Sequence, residues 1–157
     1  MLCLPQEFKL VTGANPKTTN GGFTGAYVSV KDAQMAWLLV EMTQAVGHAT
    51  QITPVQATAV AGTGATALTV TVPIWSNLDV AASDTLVERT AAVNYAVSSA
   101  TKNMLVVFQI DPRTMGSGYD VLGFTVADSS QATNLAAATW VLQARYPQAT
   151  PPSATAD

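Results

Sequence analysis

The sequence predicts an all-β fold, a two-sheet antiparallel β-sandwich of jelly-roll or Greek-key type with an extended N-terminal arm and a proline-rich C-terminal tail. Apolar and polar residues alternate with the period of a strand, and turn sequences interrupt this alternation at short intervals without intervening helices. The 157 residues suffice for one domain with one core. We expect the arm over residues 1–25, the sandwich over 26–146 and the tail over 147–157.

Four segments carry the clearest strand patterns. Residues 68–74, 93–97 and 122–126 place apolar side chains at every second position, which predicts strands with one buried face. Residues 104–110 are apolar on both faces, a pattern typical of a central strand. Glycine, proline, aspartate and serine form turn sequences between these runs, at 62–64, 111–112, 116–118 and 128–130.

Two further segments, 35–46 and 135–142, have apolar residues at helical as well as alternate spacing. The valines and tryptophan around the first segment favour a strand there, with Gly47 and His48 closing a hairpin onto residues 49–56. Alternation over residues 138–145 also favours a strand in the second segment. A run of three alanines keeps a helix open as the alternative.

The two ends of the chain have different compositions. Residues 11–25 are rich in threonine, asparagine, lysine and glycine and show almost no apolar periodicity, which predicts an arm or long loop that becomes ordered in an assembly. The C-terminal Pro147, Pro151 and Pro152 lack backbone donors and fix φ. We therefore expect a polyproline-like tail.

Low charge excludes several kinds of partner. Charged residues make up 11% of the sequence, about half the usual share, and the net charge is −3. The seven basic residues are scattered, so we expect no nucleic-acid surface. We also expect no signal peptide and no membrane span, because no stretch approaches the roughly 20 apolar residues needed. Such a neutral surface suits a protein that is partly covered by partners.

The candidate reactive residues do not form a catalytic pattern. His48 is the one histidine and lies in a predicted turn, away from any candidate nucleophile. Cys3 is the one cysteine, so the chain can form neither an internal disulfide nor a thiolate metal site. Gly62 and Gly64 superficially resemble a phosphate loop, but no Lys-Ser or Lys-Thr follows and no helix begins there.

The acidic residues have no calcium-loop spacing, and capping of turns accounts for them better; they include Asp79, Asp84, Glu88, Asp111, Asp120 and Asp128. We expect no enzyme and assign no catalytic, cofactor-binding or metal-binding residue. The aromatic residues could stack on sugars, but core or inter-subunit contacts explain them more simply. The residues in question are Trp37, Trp75, Trp140, Tyr27, Tyr95, Tyr119 and Tyr146.

Taken together, several stretches resemble the virion structural proteins of tailed bacteriophages, specifically capsid-associated or decoration-type subunits. The stretches are LPQEFKLVTG at residues 4–13, TQAVGHATQIT at 43–53, QAT at 56–58, AGTG at 61–64, FQIDP at 108–112 and ARY at 144–146. They are strand and turn patterns, and they transfer no functional residue. The resemblance implies a β-sandwich subunit bound to a capsid or to another part of a virion.

These observations lead to one expected function and one alternative. The expected function is that of a decoration subunit, assembled in the host cytoplasm and located in the virion, that stabilises the head shell through the major capsid protein or other virion proteins. Its N-terminal arm is expected to dock, and the subunit is expected to associate with itself, as a trimer at quasi-three-fold positions. The alternative is a tail or fibre component that recognises host glycans through tryptophan and tyrosine.

Overall fold

The computed structural model describes residues 4–147, 149–150 and 152–156. It confirms an almost all-β fold in which two antiparallel sheets form a β-sandwich. Assignment to the jelly-roll or Greek-key type stays a prediction. The helical turn α1 is Leu4–Glu7, a 3-10 turn is Pro112–Thr114, and the strands are β1 (Phe8–Thr18), β2 (Phe23–Thr24), β3 (Val28–Ser29), β4 (Ala33–Thr43), β5 (Gln51–Ala57), β6 (Thr66–Ala67), β7 (Val72–Asn77), β8 (Val87–Ala92), β9 (Tyr95–Ala96), β10 (Asn103–Ile110), β11 (Val121–Val126) and β12 (Leu135–Ala144).

The long strands lie in one sheet, which we call sheet 1, in the order β1-β12-β4-β10-β7-β8. Sheet 2 has the order β2-β11-β5-β6, with β3 also pairing with β11 and β9 with β5. The two ambiguous segments form strands β4 and β12, which pair from Leu135 opposite Thr43 to Ala144 opposite Ala33. A strand is favoured over a helix because alternate β4 side chains enter the core while the others face outward.

The predicted strand at 104–110 is confirmed as β10, between β4 and β7, and the one at 122–126 as β11. The two other predicted strands are shorter than expected. Residues 68–71 connect sheet 2 to sheet 1, and only Tyr95–Ala96 of the 93–97 run is a strand. Leu68 and Val97 are nevertheless buried. Alternation therefore identified several core side chains, although Val70 is exposed, and it did not indicate which backbone groups pair.

The predicted hairpin at Gly47 and His48 is wrong, because β4 and β5 lie in different sheets. The connection between them is held by the fully buried side chain of Asn134. Its Oδ1 accepts a hydrogen bond from the Val46 backbone N–H at 2.8 Å, and its Nδ2 donates to the Val46 carbonyl at 2.7 Å. These two bonds fix the connection where the chain leaves sheet 1.

The expected arm is largely a strand. From Phe8 to Thr18 the chain forms β1, the edge strand of sheet 1, paired with β12 along its length. The register shifts twice between Thr12 and Lys17, around Gly13 and Pro16. Bulges and proline are tolerated at a sheet edge, and here they remove the regular alternation that would have identified the strand.

Contacts between large aromatic side chains join the two sheets at the centre of the core. Trp140 on β12 and Phe124 on β11 are both fully buried, with ring centroids 6.2 Å apart and an edge-on geometry. The Trp140 indole N–H donates to the Ala26 carbonyl at 3.2 Å. Gly25 leaves room for the Phe124 ring, since a Cβ at residue 25 would lie 2.0 Å from it.

The described part of the C-terminal tail packs against the sandwich. Ala154 is buried, and its carbonyl accepts a hydrogen bond from the Ser29 backbone N–H at 2.7 Å. The Lys9 ammonium on β1 donates to the Pro152 carbonyl. Residues 1–3 of the expected arm and residues 148, 151 and 157 of the expected tail lie outside the described residues.

Replacing Asn134 with alanine should lower the free energy of unfolding by about 2 kcal/mol, because both backbone groups of Val46 lose their partner, the buried amide of Asn134. The measurement is chemical denaturation of the wild type and Asn134→Ala. Asn20→Ala, at an exposed position, is the matched control and should leave the midpoint nearly unchanged. Equal midpoints for Asn134→Ala and the wild type would contradict this role of the amide.

Deleting residues 1–18 should abolish stable folding or lower the unfolding midpoint strongly, because β12 would lose its neighbour and become an exposed edge. Circular dichroism and thermal unfolding of the truncated protein measure this effect. Deletion of residues 1–3 is the control, since it leaves β1 intact. A truncated protein that unfolds like the full chain would mean that β1 is dispensable, as a free docking arm would be.

Candidate interaction surface

The residues considered for catalysis do not assemble into a site. His48 is half-buried in the connection between β4 and β5, with its Nδ1 3.3 Å from the hydroxyl of Thr50. Cys3 lies outside the described residues. In the part of the chain that the structure describes, no group of three or more histidine, cysteine, aspartate or glutamate side chains could hold a metal ion.

The glycine pair forms the tip of the connection between β5 and β6. Gly62 and Gly64 both have positive φ, of 78° and 64°, which favours glycine. Thr58 closes the turn by donating its backbone N–H to the Thr63 carbonyl at 2.9 Å. The ring of Tyr27 lies against Gly62, where a Cβ would come within 2.7 Å of it. The pair thus has a structural explanation in the turn itself.

Three acidic residues each form an ion pair with a basic residue, and the three pairs are separate from one another. The Lys102 ammonium is 2.6 Å from Asp79, and its hydrogen bond lowers the pKa of that carboxyl below its usual value. Arg113 donates in the same way to Asp111, again lowering the pKa. Lys31 is 3.4 Å from Asp120. The expected turn-capping role is observed at Asp111, which also accepts the Arg113 backbone N–H.

Asp128 caps the turn between β11 and β12. Its Oδ1 accepts the backbone N–H groups of Ser130 at 2.6 Å and Gly21 at 2.7 Å. These two bonds hold the pKa of the carboxyl below its usual value, with a smaller effect from the nearby His48. The carboxylate therefore fastens the β1–β2 turn to the β11–β12 turn.

The three tryptophans divide between the core and the surface. Trp140 belongs to the core, whereas Trp37 on β4 and Trp75 on β7 lie half-buried on the outer face of sheet 1. The ring of Phe8 packs against Trp37 with centroids 6.2 Å apart. The sequence placed Trp37 and Trp140 in predicted strands and Trp75 directly after one, but alternation could not indicate which face of each strand would meet sheet 2.

The outer face of sheet 1 is unusually apolar for a surface. Its residues alternate with the buried ones along β4, β10 and β12, and most are half-buried, with Leu10 on β1 55% exposed. We call this surface the apolar face; it comprises Phe8, Leu10, Met35, Trp37, Leu39, Trp75, Leu105, Val107, Leu135, Ala137 and Val141. Contiguous patches of this kind mark sites of interaction.

Two shallow grooves run along the apolar face. One of about 480 Å³ is lined by Leu105, Leu135 and Val80, and the other, of about 350 Å³, by Leu10, Leu39 and Val141. They adjoin at Glu41, Ala137 and Pro16, which line both. Glu41 is exposed and brings a carboxylate to the boundary. The surface is thus suited to non-covalent contact with a broad, mainly apolar partner.

Together, the fold and this surface describe a β-sandwich domain with one sheet face open to partners. No helix in the described part of the chain is long and apolar enough to cross a bilayer. No protein-family model matches the chain, and no curated protein sequence does.

Among solved structures, the chain is similar to the SPBc2 prophage-derived protein YomS. The two share 12% sequence identity over 87% of this chain and 92% of YomS, with a TM-score of 0.50. At this identity the likeness shows the fold alone. It agrees with the two-sheet β-sandwich described above.

Two structures of family 11 carbohydrate-binding modules from Clostridium thermocellum are more distant. One, in complex with a β-1,3-1,4-mixed-linked tetrasaccharide, shares 8% identity over 90% of this chain and 91% of its own, with a TM-score of 0.32. The other, from the cellulase Lic26A-Cel5E, shares 8% identity over 92% of this chain and 91% of its own length, with a TM-score of 0.29. These TM-scores are too low to indicate the same fold.

The Asp128 carboxylate should make stability depend on pH. Its pKa is lowered in the folded state below the ordinary 3.8, so its contribution is present above that value and is lost as the pH falls through the folded pKa. Asp128→Asn should therefore unfold at a lower temperature than the wild type at neutral pH. The difference between the two midpoints should shrink well below pH 3.8.

Thermal unfolding over a pH series measures this difference. Asp84→Asn is the matched control, because it removes the same charge at an exposed position and should leave the wild-type midpoint nearly unchanged throughout. A midpoint difference for Asp128→Asn that is the same at neutral and acid pH would show that the charge of Asp128 is not what fastens the two turns.

Proposed function

We propose that this chain is a structural subunit of a tailed-phage particle, of the decoration type that binds the head shell. The observation that carries the proposal is the apolar face, a broad contact surface on a domain with only 11% charged residues. Surfaces of this kind are normally covered by a partner. The sequence resemblance to capsid-associated subunits and the prophage origin of YomS support the phage context.

The distribution of charge favours protein partners over nucleic acid. Lys31, Lys102 and Arg113 each pair with an aspartate, and the Arg89 side chain donates to Ser76. Lys17 lies 4.4 Å above the centre of the Phe23 ring. A phosphate backbone would require a cluster of unpaired cations. The proposed partners are therefore the major capsid protein or other virion proteins, together with copies of this chain.

In this role the sandwich acts as a rigid body that adds contacts between shell subunits. Each buried Å² of apolar surface contributes about 25 cal/mol before the costs of association are subtracted. Modest contacts repeated around a closed shell add up through multivalency and resist the pressure of packaged DNA. The proposal assigns no catalytic step, cofactor or metal. It places the protein in the virion after assembly in the host cytoplasm.

Residues 8–18 are not expected to act as a docking arm, because they form strand β1 of the sandwich. The backbone of β1 is already paired with β12, and Lys9 is bonded to the tail. A segment held in this way cannot leave the sandwich to reach a shell without exposing the edge of β12. Contacts with the shell are therefore expected from the folded body of the subunit.

Cryo-electron microscopy of particles that carry this chain tests the proposal. We expect its density at regular positions of the icosahedral lattice, with a copy number comparable to that of the shell subunits. Quantitative mass spectrometry of the same particles provides an independent count. Density confined to the tail or portal, with only a handful of copies per particle, would overturn the decoration role.

Glycan recognition in a tail or fibre is the second candidate function. It is favoured by Trp37 and Trp75, half-buried on an open sheet face where flat rings could stack on sugars. A glycan array probed with the isolated wild type, Trp37→Ala and Trp75→Ala discriminates the two functions. Binding that both substitutions abolish would support a receptor role, whereas no binding by the wild type would leave the structural role alone.

A further inference from the structure

We propose that the apolar face is a homodimer interface, in which two copies of this chain pack sheet 1 against sheet 1 through a two-fold axis. The inference deepens the proposed function, on which it rests for taking the partner to be another structural subunit. It assigns a specific surface to self-association. It also assigns a dimer, in place of the trimer expected from shell symmetry.

The apolar face is large enough to form a dimer interface. Five strands, from β1 across to β7, contribute residues to it. With strands about 4.8 Å apart and about 3.3 Å per residue along them, the face measures roughly 24 by 25 Å, or about 600 Å². Two such faces bury about 1,200 Å², which reaches the lower end of the range for specific, stable interfaces. A second copy therefore supplies enough area to cover the face.

The apolar face also resembles the core-facing side of a β-sandwich sheet. In β4, outward-facing Met35, Trp37 and Leu39 alternate with core residues, and they are as apolar as those residues. Apolar sheet faces stack about 10 Å apart through interdigitating side chains. The grooves beside Leu39 provide spaces into which side chains of an identical face can fit. The same patch on both copies satisfies a two-fold axis.

The charge of the protein also permits two copies to associate. The net charge of −3 is small, so two copies repel each other weakly. Glu88 lies at the margin, on the edge strand β8, whereas Glu41 lies inside the face, on β4 between Leu105 and Ala137. The area around Trp37, Leu39 and Val107 carries none of the chain's charges, and this is the part of the face that a second copy covers. Charges outside this area remain hydrated.

Sedimentation of the full-length protein over a range of concentrations tests the inference directly. We expect a dimer whose population rises with concentration, accompanied by a blue shift of tryptophan emission as Trp37 and Trp75 lose water. Leu39→Lys and Leu39→Glu, at the centre of the face, should each reduce the association constant at least tenfold. Val70→Lys, which adds the same charge at an exposed position outside the face, is the control and should still dimerise.

Mixing the two Leu39 variants distinguishes self-association from other effects. If identical faces meet, opposite charges brought together should restore association in the mixture to above that of either variant alone. Circular dichroism and thermal unfolding verify that each variant is folded. If a variant fails to fold, the emission of Trp37 and Trp75 in the wild-type concentration series still shows whether association covers the apolar face.

A wild-type protein that stays monomeric at high concentration, or that forms only trimers, would overturn the inference. So would a dimer that both Leu39 variants retain in folded form. Binding of monomers to phage shells would leave the proposed function standing while removing the dimer. A dimer that forms through the apolar face, in a protein that is absent from the virion, would support the inference and overturn the proposed function.

Discussion

The packing of Trp140 against Phe124 is the contact on which the rest of the structure depends. It joins β12 of sheet 1 to β11 of sheet 2, and both rings are fully buried. Gly25 makes it possible because its lack of a side chain leaves room for the Phe124 ring, and the Ala26 carbonyl satisfies the buried indole N–H. Once the inward faces of the sheets are committed to this core, the outward residues of β4, β10 and β12 remain at the surface.

The sequence was informative where strands are long and regular. β11 has a regular alternation and β10 is an apolar run, and alternate spacing favoured strands for β4 and β12 over the helices that their sequences also allowed, so these four strands could be predicted. β1 was missed because its bulges near Gly13 and Pro16 interrupt the pattern. The hairpin at Gly47 was wrong because a glycine-containing turn does not indicate whether the next strand joins the same sheet. The connection is held by Asn134, which is distant in sequence.

The position of the apolar face could not be predicted from the sequence for a related reason. Residues 104–110 are apolar on both faces, and in the other strands alternation is the same whichever face turns inward. The sequence could therefore show that more apolar surface exists than one sandwich needs, but not that Trp37 and Trp75 would share an outer face while Trp140 enters the core. The low charge was visible from composition alone. Only the arrangement of the strands joins these observations into one surface.

The pairing of β1 with β12 also has a consequence for the synthesis of the protein. These neighbours are more than a hundred residues apart in sequence, so sheet 1 is incomplete until residues 135–144 have left the ribosome. Until then β1 is a strand without its partner. Pro16 and Lys17 are residues that discourage pairing with foreign strands. The irregularity that hides β1 from pattern analysis is thus also of the kind that discourages aggregation of an unpaired strand.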